Sequence, residues 1–522
     1  MNSRSIVVFS IVTLLTAAEC AKILGVLPVD SKSHNIIGTA LMRTLAEAGH
    51  EVTVITTQPL KKPPKNYREI LLTKVNEGSD EQDLNLFEFH GSSMLSAAMM
   101  QVMLYGMFAD MIAEGVLEHP NVSEFLETEQ HFDLVIVETF MTESLYGFAQ
   151  HFDAPLITFS AFGSSLWTNE LVGTPAPSSH IANAVLSSTD NMNFLERLQN
   201  AVFNVLDRAY YHFIYLPKQK QYYNRLFPMA KLTFEQQMQN VSLVFLNQHF
   251  SSSFPRPYPP NMVEVGGIQL EETKPLPEDL QKFLDEAPDG VIYFCMGSNI
   301  KSVHFPKEKR EAFIRNFARL KQRVLWKFED ETIPNQPPNL KIKSWMPQRD
   351  ILAHPNVKLF ITHGGLLGTT EALYYGKPLV GIPIYGDQMM NIQKAVRAGY
   401  AVLLEYQDIT EATVHRAINT VLNDPSYAKN AQMISQRFRD KPMTPKQAAV
   451  FWTEYVIRHK GAPQLRSPAM QLTFIQYHLL DVYAMVILIM ILTGATLGYY
   501  TRKIVRKMFK PTKQVKHKQK QS

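Results

Sequence analysis

The chain has 522 residues, of which 45% are hydrophobic and 19% charged, with 24 glycines, 31 prolines and 2 cysteines. This composition excludes a disordered, a collagenous or a disulfide-framework protein, and the length predicts two or three domains. Residues 501–522 hold nine Lys and Arg and no acid, so the formal net charge of +4 belongs to this tail. The rest of the chain is slightly acidic, which argues against a nucleic-acid-binding face and a nucleic-acid partner.

The N-terminal residues 1–20 predict a secretory signal peptide. Arg4 supplies a basic start, residues 6–15 are apolar, and small residues follow up to Cys20. The alternative is a short buried strand or helix. If the signal is removed, Cys295 has no partner for an internal disulfide, and its apolar surroundings favour a packed small side chain over a nucleophile.

Residues 21–250 predict a first domain in which short apolar strands alternate with helical patterns. This alternation favours a parallel sheet of βαβ units. The clearest strands are 22–29, 51–56, 133–138 and 156–160, with a helix over 36–48. The Met-rich stretch 92–108 is compatible with either a core helix or the wall of an adaptable apolar pocket.

The segment 251–277 is rich in Pro, Ser and Gly and predicts a linker. A second domain over 278–442 follows the same alternation, with strands at 291–297, 324–328, 358–362 and 378–384. Two such domains would enclose a cleft between the carboxyl ends of their strands. Helical patterns over 443–480 are predicted to return to the body and lead to the membrane.

Residues 482–500 contain no charge and are long enough to span a bilayer. Because a basic run follows, the positive-inside rule predicts a single-pass type I protein with a cytosolic tail, 501–522, and a luminal body. Lys518 and Lys520 resemble a dilysine signal for return to the endoplasmic reticulum. A luminal body makes Asn121 and Asn240, both in Asn-x-Ser triplets, candidate glycosylation sites.

The most specific stretch of the sequence is 359–391. A buried strand ends at Thr362, and His363, Gly364 and Gly365 then lead into a helical pattern. This order places an imidazole and backbone N–H groups at a helix N-terminus, which suits a phosphate, and the glycines allow close backbone approach. An ordinary strand-to-helix turn is the alternative for these residues taken alone.

Acidic and amide side chains follow in the same stretch. Glu371 lies two turns into the helix and is suitably placed to accept hydrogen bonds from ribose hydroxyls. Asp387 and Gln388 come after the next strand, and their acceptor and donor groups suit sugar hydroxyls. The stretch as a whole therefore predicts a site for a phosphorylated sugar compound.

Residues 359–391 resemble the signature of the UDP-glycosyltransferase family, and the resemblance covers essentially the whole chain. The signal, two halves, membrane helix and basic tail are similar to the animal endoplasmic-reticulum branch. The amino-acid sequence of residues 363–376 is most similar to that of insect members. The resemblance implies a GT-B fold: two Rossmann-like α/β domains facing across a cleft, plus a C-terminal transmembrane helix. It also implies metal-independent, inverting transfer of a hexosyl group from a UDP-sugar to a small lipophilic acceptor, as in detoxification or conjugation. The UDP-sugar is then a co-substrate, and no cofactor is expected.

The resemblance further implies roles for individual residues on the donor side. Trp345, by stacking, and Gln348 are implied to contact the uracil. Glu371 falls on the ribose position, and Asp387 with Gln388 on the sugar. The remaining implied UDP-sugar contacts, mainly to the phosphates, are Ser298, His363, Gly364, Gly365 and Gly368. Leu367 departs from the family, which often has Asn there, so this phosphate or sugar contact is lost or is supplied by backbone or by Thr369.

His34 is the base that the resemblance implies, taking the proton of the acceptor hydroxyl. It follows the first strand and begins the first helix, and the role calls for a histidine because imidazole can accept a proton near neutral pH. An acid should orient the imidazole and stabilise its charged form. Glu138 falls where the family usually has Asp, and Glu143 is the alternative.

The sequence lacks an Asp-x-Asp motif for a metal–diphosphate complex, so a metal site is not expected. Leaving-group charge would then be balanced by the helix N-terminus and His363. Two other functions stay open: a silent UDP-sugar-binding membrane subunit that regulates a partner, and a lectin-like receptor. The donor is UDP-glucose or UDP-glucuronate, with the insect resemblance favouring glucose. The acceptor and any homo-oligomer are left open.

Overall fold

The computed structural model describes residues 20–72 and 94–510. Residues 1–19 of the predicted signal peptide lie outside these ranges, as do Lys518 and Lys520. The chain forms two compact units, Met1–Arg466 and Ser467–Ser522. The first unit contains two parallel sheets, one in residues 22–264 (the first half) and one in residues 291–403.

The sheet of the first half has seven parallel strands in the order β3-β2-β1-β4-β5-β6-β7. Every residue of β4, β5 and β6 is buried, as expected where helices cover both faces of a parallel sheet. The strands are β1 Lys22–Leu27, β2 Glu51–Thr56, β3 Tyr67–Leu71, β4 Leu134–Glu138, β5 Leu156–Ser160, β6 Val241–Leu246 and β7 Met262–Glu264.

The helices of the first half include α1, which follows β1 directly. Its residues Ile37, Leu41 and Leu45 are buried at four-residue spacing, and the chain leaves the helix through Gly49 in a left-handed conformation (φ 105°). A π-helical turn, Tyr211–Tyr215, joins α6 to α7. The helices are α1 Lys32–Glu47, α2 Met94–Leu117, α3 Pro120–Glu127, α4 Gly147–His151, α5 Leu166–Val172, α6 Phe194–Tyr210, α7 Leu216–Leu226 and α8 Phe234–Gln239.

The segment 251–277, predicted to be a linker, contributes a strand to the first sheet. Residues Met262–Glu264 form β7 and pair in parallel with Val244–Leu246 of β6. The chain therefore passes from the first sheet to the second only after residue 264.

The second half, residues 278–439, carries six parallel strands in the order β10-β9-β8-β11-β12-β13. The strands are β8 Val291–Cys295, β9 Arg323–Lys327, β10 Leu340–Lys343, β11 Val357–Thr362, β12 Leu379–Gly381 and β13 Ala401–Leu403. The helices are α9 Glu278–Asp285, α10 Lys307–Phe317, α11 Gln348–Ala353, α12 Leu366–Tyr374, α13 Gln388–Arg397, α14 Glu411–Asn423 and α15 Pro425–Arg439. All four strands predicted here are confirmed to within a few residues.

One later helix returns to the first half. The helix α16, Pro445–Arg458, buries Ala449 and Val456 completely in the same apolar cluster as Ile23, Leu41 and Leu45. The second half thus lies between two stretches of chain that pack in the first.

Both sheets have the strand order that places a site at their centre. In the first, the connections from β1 and β4 leave toward opposite edges, and in the second the same holds for β8 and β11. A crevice opens at the carboxyl ends of the two strands where the order reverses, and ligands of α/β proteins bind there. The residues that follow β1, β4, β8 and β11 are therefore the ones that the fold brings to a site.

The second compact unit contains the short helix α17, Phe474–Tyr477, and the helix α18, Leu480–Met508. The helix α18 has 29 residues and contains the predicted span 482–500, and its most apolar stretch of 18 residues has a mean hydropathy of 2.1. It is long and apolar enough to cross a membrane. Among the described residues, Ala98–Leu117 of α2 also passes this test, but Ala98, Val102 and Ala109 are buried within the body.

Candidate active site

The imidazole of His34 and the carboxylate of Glu138 form a buried hydrogen-bonded pair. His34 is the third residue of α1, and Glu138 is the last residue of β4, the strand adjacent to β1. The His34 Nδ1 lies 2.5 Å from the Glu138 Oε1, and only 1% of Glu138 is exposed. When Nδ1 carries the proton and donates it to the carboxylate, Nε2 keeps a lone pair that can accept a proton.

Two phenylalanines hold the His34 ring from its sides. The ring centroid of His34 lies 4.9 Å from that of Phe140 and 5.1 Å from that of Phe162, both in edge-on geometry. Phe140 follows β4 and Phe162 follows β5, so both come from the carboxyl edge of the sheet. Rings packed in this way restrict the imidazole to one orientation.

Glu143, the alternative partner for His34, is engaged elsewhere. It is fully buried and accepts hydrogen bonds from the hydroxyls of Tyr211 (2.8 Å) and Tyr215. Burial raises the pKa of the Glu143 carboxyl, against the effect of these two hydrogen bonds. In the structure, His34 is therefore hydrogen-bonded to Glu138, whereas Glu143 is hydrogen-bonded to two tyrosines just before α7.

In the second half, His363 lies between two glycines. A Cβ at Gly297 would lie 2.5 Å from the His363 Cε1, and a Cβ at Gly365 would lie 2.4 Å from its Nε2. Burial, with a smaller effect from the positive charge of Lys327, lowers the pKa of His363 to about 4. The ring is therefore neutral at neutral pH and can donate one N–H, and its role at the leaving group stays a prediction.

The N-terminus of α12 faces the same cleft. Its N-cap, Gly365, has no side chain to satisfy the first N–H groups of the helix, and Gly364 reaches this turn in a left-handed conformation (φ 85°). A nine-residue helix whose cap offers no acceptor presents partial positive charge to an anion. This arrangement suits the phosphate that residues 359–391 predict, and the phosphate site stays a prediction.

Gln348 and Glu371 are paired beside this helix N-terminus. The Gln348 Nε2 donates to the Glu371 Oε2 at 2.7 Å, and a Cβ at Gly368 would lie 3.2 Å from that same amide nitrogen. Burial raises the pKa of Glu371 to about 7, so both protonation states are populated at neutral pH. The absence of a side chain at Gly368 leaves room for this pair.

Trp345 and Ser298, on loops after β10 and β8, stand more open to solvent. Trp345 is 58% exposed, and the ammonium of Lys32 lies 3.4 Å from its ring centroid. A cation at this distance over an indole ring is a favourable cation–π contact. One face of the Trp345 ring therefore carries a lysine from the first half. The Ser298 hydroxyl donates to the neighbouring Asn299.

Asp387 and Gln388 start α13. The Asp387 Oδ2 accepts from the Asn391 amide at 2.9 Å, and burial raises the pKa of the Asp387 carboxyl. The Gln388 Oε1 accepts from the backbone N–H groups of Ile384 (2.8 Å) and Tyr385 (3.1 Å), which fixes the loop before the helix. The amide nitrogen of Gln388 is then the atom left for a ligand.

These groups line one cleft of about 960 Å³ between the two halves. Met100, Leu104 and Phe108 of α2 form an apolar part of its wall, beside His34. Glu138 and Gly364 do not line the cleft. Glu138 contacts His34, which does, and Gly364 precedes Gly365, which also does. The predicted residues that line the cleft are His34, Ser298, Trp345, Gln348, His363, Gly365, Gly368, Glu371, Asp387 and Gln388.

Sequence reasoning missed three neighbours of the site. Phe140 and Phe162 each come two residues after a strand ends, so the rule that sites lie at the carboxyl edge of a parallel sheet could have found them. Lys32 precedes His34 by two residues but contacts a ring more than 300 positions away, and no local pattern signals such a contact. Within residues 20–72 and 94–510, no group of three or more His, Cys, Asp or Glu side chains is placed to hold a metal.

Residues 21–519 match the family described as "UDP-glucoronosyl and UDP-glucosyl transferase". The chain belongs to this family. A "UDP-glucosyltransferase 2" of Dactylopius coccus is 37% identical over 92% of this chain and 93% of that protein. A "UDP-glucuronosyltransferase 2C1" of Oryctolagus cuniculus is 32% identical over 86% and 92%. The solved structure of the glycosyltransferase VinC in complex with DTDP matches 84% of this chain and 99% of VinC, with a TM-score of 0.55 at 15% identity.

The GT-B fold and the assignment to the UDP-glycosyltransferases are thus confirmed. The two sequons of this UDP-glycosyltransferase differ in accessibility. Asn121 is exposed on α3, although its amide donates to the Leu71 carbonyl at 2.9 Å. Asn240 is half-buried, and Ser242 of its triplet is fully buried in β6. Glycosylation at either position stays a prediction.

Proposed function

We propose that this UDP-glycosyltransferase transfers glucose from UDP-glucose, with inversion, to a hydroxyl of a small lipophilic acceptor. The observation that carries the proposal is the buried His34–Glu138 pair, because it opens onto the same cleft as the helix N-terminus and the Gln348–Glu371 pair. The first half would hold the acceptor and the second half the donor. The relative named "UDP-glucosyltransferase 2" supports glucose as the sugar.

In the proposed reaction the Nε2 of His34 takes the proton of the acceptor hydroxyl as its oxygen attacks C1 of glucose. The bond between C1 and the diphosphate oxygen breaks, and UDP leaves with that electron pair. Glu138 stabilises the imidazolium that forms. The N–H groups that begin α12 and the N–H of the neutral His363 receive the charge that develops on the diphosphate.

The proposed donor contacts are those that the family resemblance implies, and they are supported by the position of their residues on the cleft. Trp345 would stack on the uracil once Lys32 moves from its face. Glu371, as the carboxylate, would accept from the ribose hydroxyls, while Asp387 and Gln388 would bind the hydroxyls of the sugar. No cofactor and no metal are part of the proposal.

The proposed location is the membrane of the endoplasmic reticulum, with the body in the lumen and residues 501–522 in the cytosol. The apolar helix α18 supports membrane attachment, and the basic residues after 500 support the orientation. Protease protection of an epitope placed after residue 522 in sealed microsomes tests the orientation, because a cytosolic tail is cleaved without detergent.

The test of the reaction is transfer from UDP-glucose to 4-methylumbelliferone by microsomes that contain the full chain, with the variant His34→Ala as the comparison. We expect turnover to fall by a factor of about 10² to 10⁴, the usual contribution of a general base. UDP binding should persist, since His34 lies in the first half. Near-normal turnover by the folded variant would refute the mechanism, and UDP binding without transfer by the wild type would favour a silent subunit.

A further inference from the structure

A second, smaller cavity of about 40 Å³, here called the rear cavity, adjoins the cleft. It shares part of its wall with the cleft, and its other lining residues include Trp167 and two cations, Arg256 and Lys394. The space exceeds what one water molecule needs and suffices for a group the size of a carboxylate. The wall residues common to both cavities are Tyr105, Phe140, Phe162, Leu366 and Asp387.

The two cations come from opposite halves of the protein. Arg256 lies in the segment before β7, and its Nη1 donates to the Ser164 hydroxyl at 2.6 Å. Lys394 lies on α13, and its Nζ donates to the Ser253 hydroxyl at 3.4 Å. Among the described residues, neither side chain has a carboxylate within 4 Å. Two half-buried cations that line one small cavity without a paired acid create a site for an anion.

The nearest carboxylates are bound to other groups. Asp387 accepts from the Asn391 amide at 2.9 Å. Glu264 accepts from the Gln248 amide at 3.0 Å and from the backbone N–H of Phe250 at 3.2 Å. Burial and the nearby charge of Arg256 lower the pKa of Lys394 to about 8, while Asp387 opposes this effect. With a pKa of about 8, the Lys394 ammonium is still mainly protonated at neutral pH.

The position of the rear cavity associates it with the acceptor. Phe140 and Phe162, which separate it from the cleft, are the same rings that hold His34. Of the predicted donor-side residues only Asp387 lines the rear cavity, whereas Ser298, Trp345, Gln348, His363 and Glu371 line the cleft alone. A molecule that offers a hydroxyl to His34 and also reaches the cations must pass along aromatic side chains.

We propose that the rear cavity is a carboxylate subsite of the acceptor pocket and that the favoured acceptors are aromatic hydroxy-acids. The hydroxyl faces His34, the ring packs among Phe140, Phe162 and Trp167, and the carboxylate binds Lys394 and Arg256. The assignment rests on the proposed function for the role of His34. A carboxylate can also come from the sugar of UDP-glucuronate, and the experiment separates these two sources.

The experiment uses two acceptors that differ by one carboxylate, 4-methylumbelliferone and 7-hydroxycoumarin-4-acetic acid. Each is offered to the full-length protein with UDP-glucose and with UDP-glucuronate. We expect Lys394→Gln and Arg256→Gln each to lower the ratio of kcat/KM for the acid to that for the neutral coumarin by about tenfold or more, since charge-assisted hydrogen bonds are lost. Lys394→Arg should keep the ratio within about threefold of the wild-type value.

Lys429→Gln is the matched control, because Lys429 is exposed on α15 and does not line the cavity, so its replacement removes the same charge outside the subsite. For this control, the ratio of kcat/KM for the acid to that for the neutral coumarin should equal the wild-type ratio. If Lys394→Gln lowered kcat/KM for both coumarins by the same factor, the role of Lys394 would be structural and the proposal would be overturned. Selective loss of UDP-glucuronate use, with acceptor preference unchanged, would assign the carboxylate to the donor and would overturn it as well.

Failure of the proposed function is recognised separately. If the wild-type protein transfers sugar to neither coumarin from either donor, the proposed function is refuted. Binding of 7-hydroxycoumarin-4-acetic acid then tests the subsite independently. The intrinsic fluorescence of 7-hydroxycoumarin-4-acetic acid reports its binding without turnover. A dissociation constant at least fivefold higher for Lys394→Gln than for the wild type supports the subsite, and equal constants refute it.

Discussion

Replacing Glu138 with Gln removes one negative charge from the His34 pair and changes little else. The side chain keeps its size, and its carbonyl can still accept from the His34 Nδ1, which now lies 2.5 Å from the carboxylate oxygen. What is lost is the attraction between the carboxylate and the imidazolium that forms during proton transfer. With charge centres about 4 Å apart and an effective dielectric constant of about 20, this attraction is about 4 kcal/mol. The expected decrease in kcat is therefore about a thousandfold.

The assay is the initial rate of 4-methylumbelliferone consumption with saturating UDP-glucose, followed by fluorescence. Glu143→Gln is the control, because Glu143 is equally buried and only five residues away but binds Tyr211 and Tyr215. We expect this control to retain kcat within about fivefold even where its stability falls. If folded Glu138→Gln stays within tenfold of the wild type, or if the two variants lose kcat equally, the assignment of the pair is refuted.

Two further predictions concern the donor side. In Gly365→Ala the new Cβ would lie 2.4 Å from the His363 Nε2, so the imidazole must move. We therefore expect KM for UDP-glucose to rise at least about tenfold. A KM within twofold of the wild-type value, with unchanged circular dichroism, would contradict this prediction. Burial raises the pKa of Glu371 to about 7, and only its carboxylate form accepts from ribose hydroxyls. Calorimetric affinity for UDP-glucose should therefore increase from pH 6 to pH 8 by about tenfold, and Glu371→Gln should remove this dependence; a flat wild-type profile would refute the role.

Eight of the thirteen strands in the described residues were predicted from short apolar runs, and β3, β6, β7, β10 and β13 were not. The strands β1, β2, β4, β5, β8, β9, β11 and β12 were expected, and all are present at or near the expected positions. The three-residue strands β7 and β13 have too few residues for a periodic pattern, and the prolines around β7 indicate a linker. Their pairing is decided by the neighbouring strand, a tertiary effect that local sequence does not carry.

The sequence located the site residues through their positions at strand ends and helix starts, and the fold then brought most of them to one cleft. It could not choose between Glu138 and Glu143, because both follow the same apolar run within five residues. Only the packing shows that Glu138 ends β4 beside His34 while Glu143 turns toward Tyr211. Arg256 and Lys394 were missed for a related reason, since residues 138 positions apart meet only through the fold.

The placement of His363 between Gly297 and Gly365 has a consequence for attempts to change the donor. A methyl group at either glycine would overlap the imidazole, so single substitutions at these two positions meet a steep barrier. Libraries that vary one codon at a time will return glycine at both, and selection for a new sugar will act on positions that tolerate exchange. Asp387 opens onto the same cleft without a glycine packed against its side chain, so an altered nucleotide-sugar preference is expected to arise there first.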